Sequence, residues 1–250
     1  MRQFLSTILL LALSAVSGFR AAAAEEPAHA KIRVLLTYGG HGFDREPFFA
    51  MFDALPDVVY TKAELPKDAD MLKPGLQKDI DVIVMYDMVP GISAEQQKAF
   101  VDLLNQGIGV VALHHNLDAH MDWPEFRKII GGKYLPKQQE IDGRTYGPSH
   151  FAEGQEIKVI VADREHPITA GSDDFQIHDE TYGNYYLSPD VKILLKTDNP
   201  KNNPSLAWVT RYGNSRVFYF QLGHDAAAWH NPNYPRILGN GIRWAAGDRR

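Results

Sequence analysis

Gly107-Ile108-Gly109-Val110-Val111-Ala112-Leu113-His114-His115-Asn116 decides the fold. It is a continuous apolar run, bounded by glycines, too short for a helix and stopped by two histidines. A run of this kind suits a parallel strand covered on both faces by helices. The histidines then fall at the strand's C-terminal end, where open α/β sheets gather their ligands and where a sharp strand-to-helix turn holds a side chain outward. In hydrolases that position carries the nucleophile; here it carries His114.

The flanks agree with that reading. Upstream, Asp79 to Asp87 (DIDVIVMYD) predicts another strand, and Ser93-Ala94-Glu95-Gln96 is a capping-box start for a helix that runs to Gln106, with Gly107 as its stop. Strand, helix and strand with short links make a βαβ unit and hence a parallel sheet. Ile32 to Tyr38 predicts the first strand, followed by the glycine-rich loop Gly39-Gly40-His41-Gly42. That loop lets backbone N–H groups approach a ligand, but it lacks the G-x-G-x-x-G spacing of a dinucleotide site. Pro47 to Leu55 is apolar at helical spacing, and Val58 to Tyr60 is a short strand.

Downstream, Asp122 to Ile130 predicts a short helix ended by Gly131-Gly132, and Lys133 to Ser149 reads as irregular. Strands are expected at Ile157 to Ala162, Phe175 to Tyr182 and Val191 to Lys196. Leu206 to Thr210 and Arg216 to Leu222 flank Tyr212-Gly213-Asn214-Ser215, a hairpin signal, and the second of them delivers Gly223-His224-Asp225. A helix from Tyr234 to Ala246 closes a single domain spanning 31–248.

The first 24 residues are a separate object: an apolar segment, Phe4 to Val16, then Ala21-Ala22-Ala23-Ala24 before Glu25. This is the grammar of a cleaved secretory signal and implies a periplasmic or secreted protein that keeps no membrane segment. Removing Arg2 and Arg20 takes the formal charge from −5 to −7. An acidic chain with no basic run argues against nucleic acid as a partner, because phosphate binding is driven by lysine and arginine. There is no cysteine, which excludes disulfides, a lipid-anchored cysteine and thiolate chemistry.

His41, His114 and His224 each follow a different expected strand, so parallel strands should bring all three, with Asp179 or Glu180, to one crevice. Such a set has two chemical readings. It suits proton transfer, since imidazole titrates near neutrality, and it suits a divalent metal such as zinc. No H-E-x-x-H or similar local zinc signature decides between them.

Gly39-Gly40-His41, Ala112-Leu113-His114, His166-Pro167-Ile168, Phe175 through Asp179-Glu180-x-Tyr182, Gly223-His224-Asp225 and Gly241-Ile242-x-Trp244-Ala245 together resemble the ThuA-like (trehalose utilisation) family. The resemblance implies a flavodoxin-like, class I glutamine amidotransferase-like three-layer α/β sandwich, with a mainly parallel sheet and an added β-hairpin. In amidotransferases the elbow carries cysteine, whereas His114 stands there in this chain, so glutaminase activity is not expected. The expected function is that of an exported enzyme of hydrolase or lyase type acting on a sugar or glycoside. A non-catalytic sugar-binding or accessory protein on the same fold is the alternative. The expected catalytic set is His114, His224 and Glu180. His41, Gly40, Tyr182, Asp225 and Trp229 are expected to bind substrate, and His41, His114, His224 and Asp179 would be the ligands of any metal. A small-molecule sugar is the expected partner, and a homo-oligomer is allowed.

Overall fold

The computed structural model describes residues 30–247, so the expected leader lies outside the described residues. The first half alternates strands and helices: β1 (Ile32–Gly39), α1 (Arg45–Asp53), β2 (Val58–Glu64), β3 (Val82–Asp87), α2 (Ala94–Asn105) and β4 (Gly109–Leu113). After a 3-10 turn, His114–Asp118, come α3 (Phe126–Ile130) and three short strands, β5 (Gly132–Lys133), β6 (Gln139–Ile141) and β7 (Arg144–Tyr146). The remainder is mostly strand: β8 (His150–Val161), β9 (Phe175–Gly183), β10 (Tyr186–Leu187), β11 (Lys192–Lys196), β12 (Ser205–Tyr212) and β13 (Ser215–Phe220). Two helices end the chain, α4 (Ala226–Trp229) and α5 (Asn233–Ala246).

One nine-stranded sheet has the order β2-β1-β3-β4-β13-β12-β11-β8-β9. Every pairing from β2 through β13 is parallel, and every pairing beyond β13 is antiparallel. The antiparallel extension is thus longer than one added hairpin. Strand β4 lies between β3 and β13 and is buried on both faces, which is why its sequence is apolar without alternation. Val111 and Leu113 join the core shared with α1 and α5, while Val110 and Ala112 join the core beneath α2 and α3. Each such aliphatic side chain contributes roughly 1.5–3 kcal/mol on full burial.

The capping box is present. Ser93 Oγ accepts from the Gln96 N–H at 3.3 Å, and the Gln96 side chain accepts from the Ser93 N–H at 3.0 Å. Helix α2 then buries Ala99, Phe100, Leu103 and Leu104. Several expectations change in extent, the largest being the strand expected at Ile157 to Ala162, which is the twelve-residue β8. The helix expected from Asp122 starts only at Phe126; the stretch taken as irregular contains the β6–β7 hairpin; and the Phe175 strand is nine residues long. The antiparallel half curls, so that its last strand, β9, meets the loop after β13: Asp179 accepts from the Gly223 N–H at 2.7 Å and from the His224 N–H at 3.0 Å.

Candidate active site at the strand ends

His114 is the first residue beyond β4 and has a left-handed backbone, φ 42°. A residue other than glycine held in that region marks a turn enforced by its surroundings. Its side chain is wholly buried. Nδ1 lies 2.5 Å from the Gln221 carbonyl oxygen, which can only accept, so Nδ1 carries the proton. That contact fixes the ring and aims Nε2 at three groups: the Tyr182 hydroxyl at 3.0 Å, Glu180 Oε2 at 3.1 Å and His224 Nδ1 at 3.3 Å. The Tyr182 ring stacks on the imidazole with centroids 4.9 Å apart, and the Tyr219 hydroxyl holds the His114 carbonyl at 2.7 Å.

Burial pushes the His114 pKa down, but the hydrogen bond to Glu180 and the charges of Asp179 and Glu180 outweigh it, and the net direction is up. Burial raises Glu180, yet the hydrogen bond and charge of His114, with His224 and Tyr182, hold its carboxyl below the ordinary range. Both directions favour an imidazolium whose Nε2–H donates to a carboxylate. Tyr182 is pushed far up, by burial first and then by the Glu180 charge, so it stays a phenol that donates to its neighbours. His115 behaves in the opposite way: burial, and then the neighbouring imidazoles, hold it neutral. Its ring rests on Tyr86, centroids 4.3 Å apart, and its buried Nε2 has no partner.

His115, Glu180, Tyr182 and His224, with His41, line a cavity of about 370 Å³, and His114 lies wholly buried behind them. His41 is exposed at the mouth, its ring 4.8 Å from His115 and 6.4 Å from His224. The structure therefore gathers His41, His114, His224, Glu180 and Tyr182 at one sheet edge. The reason is topological, since β1, β4 and β13 run parallel within a contiguous block of the sheet.

A family model for ThuA, described as trehalose utilisation, matches residues 33–245. The chain belongs to the ThuA family. Among solved structures it is similar to a ThuA-like protein from Parabacteroides merdae, with 22% identity, TM-score 0.70, and coverage of 87% of this chain and 90% of that one. A ThuA-like protein from Bacteroides uniformis gives 20% identity, TM-score 0.66 and coverage of 90% and 95%. A β-galactosidase from Bacillus circulans sp. alkalophilus gives 10% identity and TM-score 0.56, covering 85% of this chain but 31% of that one. Likeness at these identities speaks for a shared fold alone. No curated protein sequence matches the chain. Members of the ThuA family have the glutamine amidotransferase-like fold, and this chain has it too, with His114 at the elbow.

Besides His114, which lies buried behind the wall, four residues expected at this ThuA site stand apart from the cavity. Asp179 is buried with its carboxylate turned to the backbone: it accepts from the N–H groups of Gly223, His224 and Glu180, which holds the His224 loop in place instead of offering a ligand. Asp225 caps α4 by accepting from Ala227 and Ala228 and does not orient the His224 ring. Trp229 is core, 2% exposed, with its ring near Phe48 and its N–H donated to the Gly223 carbonyl. Gly40 packs on the next loop, where a Cβ would stand 2.5 Å from the Met88 carbonyl oxygen, so it serves close packing. Conversely, His115, Asp118, Tyr134 and Glu153 line the ThuA cavity without having been singled out. His115 and Asp118 belong to the same 3-10 turn as His114, where side chains need not alternate, and that adjacency was the available signal. Asp118 Oδ1 is buried without a partner, and burial pushes its carboxyl up to about 6.

Proposed function

We propose that this protein is an exported enzyme of carbohydrate utilisation that performs proton transfer on a sugar or glycoside. The observation that carries the reading is His114 Nε2, wholly buried and aimed by the Gln221 carbonyl at Glu180, Tyr182 and His224, three groups that themselves line a cavity of about 370 Å³. That volume falls at the small end of the roughly 300–1,000 Å³ usual for ligand sites. His114 and Glu180 share a proton that is passed to or taken from substrate through the cavity wall, and the Tyr182 hydroxyl donates to whichever partner is unprotonated. Family membership supplies the substrate class. The apolar leader and the acidic charge support export and disfavour nucleic acid.

One observation favours a metal-assisted version. The ring nitrogens of His114, His115 and His224 lie within 4.8 Å of one another, and His115 Nε2 is a buried, neutral, unpartnered donor atom. This set fits a divalent ion such as zinc; it keeps His114 and His224 from the set expected from the sequence and puts His115 in place of His41 and Asp179. When bound, the ion would supply Lewis-acid polarisation of a substrate oxygen. The chain's own residues orient the sugar, exclude water from His114 and hold the proton on Nδ1.

Two measurements on the purified protein test these readings: metal content by plasma mass spectrometry, and a substrate screen over unmodified and oxidised disaccharides. Turnover that disappears in His114→Ala and Glu180→Gln is expected. Sugar binding without turnover would instead assign the accessory role. Binding of no sugar at all would overturn the carbohydrate reading.

A further inference from the structure

Strand β8 departs from regular pairing as it passes the cavity. Ala152 pairs with Thr181 and Gln155 with Asp179, so Glu153 and Gly154 together stand opposite the single residue Glu180. This is a β-bulge, and Gly154 adopts the left-handed conformation the extra residue requires, φ 63°. Bulges re-aim the side chains beside them. Here a Glu153 carboxylate oxygen comes within 4.8 Å of a Glu180 oxygen and of a His224 nitrogen, while the side chain stays open to the mouth. One residue earlier in the regular ladder, Phe151 pairs directly with Tyr182, which places both rings on the same face of the two strands.

Phe151 lines the cavity and is 58% exposed. Among the described residues only Val59, on the opposite edge strand, is also recorded as a large exposed hydrophobic side chain. Burying a phenyl ring is worth roughly 1.5–3 kcal/mol, so a ring left in water at a cavity mouth is a surface that a ligand can cover. The inner wall is built from ionisable groups, whereas Phe151 offers a flat apolar face next to a carboxylate. A pyranose ring has that same division, with C–H groups on its faces and hydroxyls around its edge.

We infer that Phe151 and Glu153 form a subsite for the outer ring of a two-ring glycoside: Phe151 stacks on the C–H face of the outer pyranose and Glu153 accepts from its hydroxyls, while the inner ring lies against Glu180, Tyr182 and His224. The inference rests on the carbohydrate reading above and adds the residues that would hold the outer ring.

Titration calorimetry of the full chain with trehalose, maltose and cellobiose, each beside glucose, tests it. Phe151→Ala should weaken disaccharide binding about 2- to 10-fold, the size of an ordinary aromatic contact, with glucose binding unchanged and with recovery in Phe151→Trp. Glu153→Gln should weaken the same disaccharides roughly tenfold, as expected when an acceptor loses its charge. Neither exposed substitution should move the melting temperature. Wild-type protein that binds disaccharides while Phe151→Ala binds them equally well overturns the subsite and leaves the carbohydrate reading intact. Loss of metal content in Glu153→Gln with unaltered sugar affinity also overturns it, since Glu153 would then be a metal ligand. Wild-type protein that binds neither ring size overturns the carbohydrate reading and the subsite with it.

Discussion

Among the described residues, two buried imidazole–carboxylate pairs lie at nearly the same distance in different surroundings. His114 lies 3.1 Å from Glu180, and His120 lies 3.0 Å from Asp87. Both histidines have left-handed backbones, φ 42° and 53°, and neither side chain is exposed. They differ in hydrogen-bond geometry, which only His114 and Glu180 meet, and in access. Glu180 opens on the cavity and shares His114 with Tyr182 and His224. Asp87 is sealed: Thr37 donates to its other oxygen at 2.5 Å, and the His120 ring is packed against Phe126 with centroids 4.5 Å apart. A perturbed or buried ion pair therefore says little by itself; a void beside it and a second titratable partner are what make it chemistry.

The sharpest test of this contrast is activity. His114→Ala should lower turnover of a disaccharide found in the screen about 10²- to 10⁴-fold, the usual share of a general acid–base group, whereas His120→Ala should leave turnover per folded molecule nearly unchanged. Steady-state rates corrected for the folded fraction decide it, and the reverse pattern would exchange the roles of the two pairs. Stability should divide the other way. Removing His120 takes away the group facing a sealed Asp87 oxygen and leaves a space beside Phe126, at a cost of about 1–3 kcal/mol, or a melting point roughly 2–12 °C lower for a domain of this size. Scanning calorimetry that showed His120→Ala melting with wild type would mean that the contact contributes nothing to stability.

A smaller effect is expected at Asp118, which shares the 3-10 turn of His114 but has no imidazole partner. Burial pushes its folded-state value up to about 6 from the ordinary 3.8. The folded chain then holds a proton that the unfolded chain has lost, so stability declines as pH rises from about 4 through 6. Asp118→Asn removes that penalty and should add about 1–2 kcal/mol at pH 7.5, after discounting for partial exposure, with the gain vanishing below pH 4. A gain that is constant across pH in denaturant titrations would remove desolvation as the cause.

The parallel half was legible because its signals are local. The β4 run, the capping box at Ser93 and the glycine stop at Gly107 each work within one or two turns of chain. The convergence of His41, His114 and His224 followed from strand direction alone. The antiparallel half was legible only as strands. Nothing near Asp179-Glu180 says which carboxylate faces the void, because that depends on which face of β9 meets the Gly223 loop after the sheet curls. Trp229 was misplaced for the same reason, since its partner Phe48 lies far away in sequence. The bulge that turns Glu153 inward depends on a pairing register that no local pattern prints.

The position of β4 between β3 and β13 also bears on how the chain acquires its site. His114 is separated from Glu180 by 66 residues, from Gln221 by 107 and from His224 by 110. The β1–β4 unit can close over short loops, but β13 must pair with β4 before the Gln221 carbonyl can fix the His114 ring. Contacts of such long sequence separation form slowly and late. A nascent chain that has not yet reached Gln221 has no carbonyl there to orient the imidazole, so the His114 geometry cannot form before β13 is made.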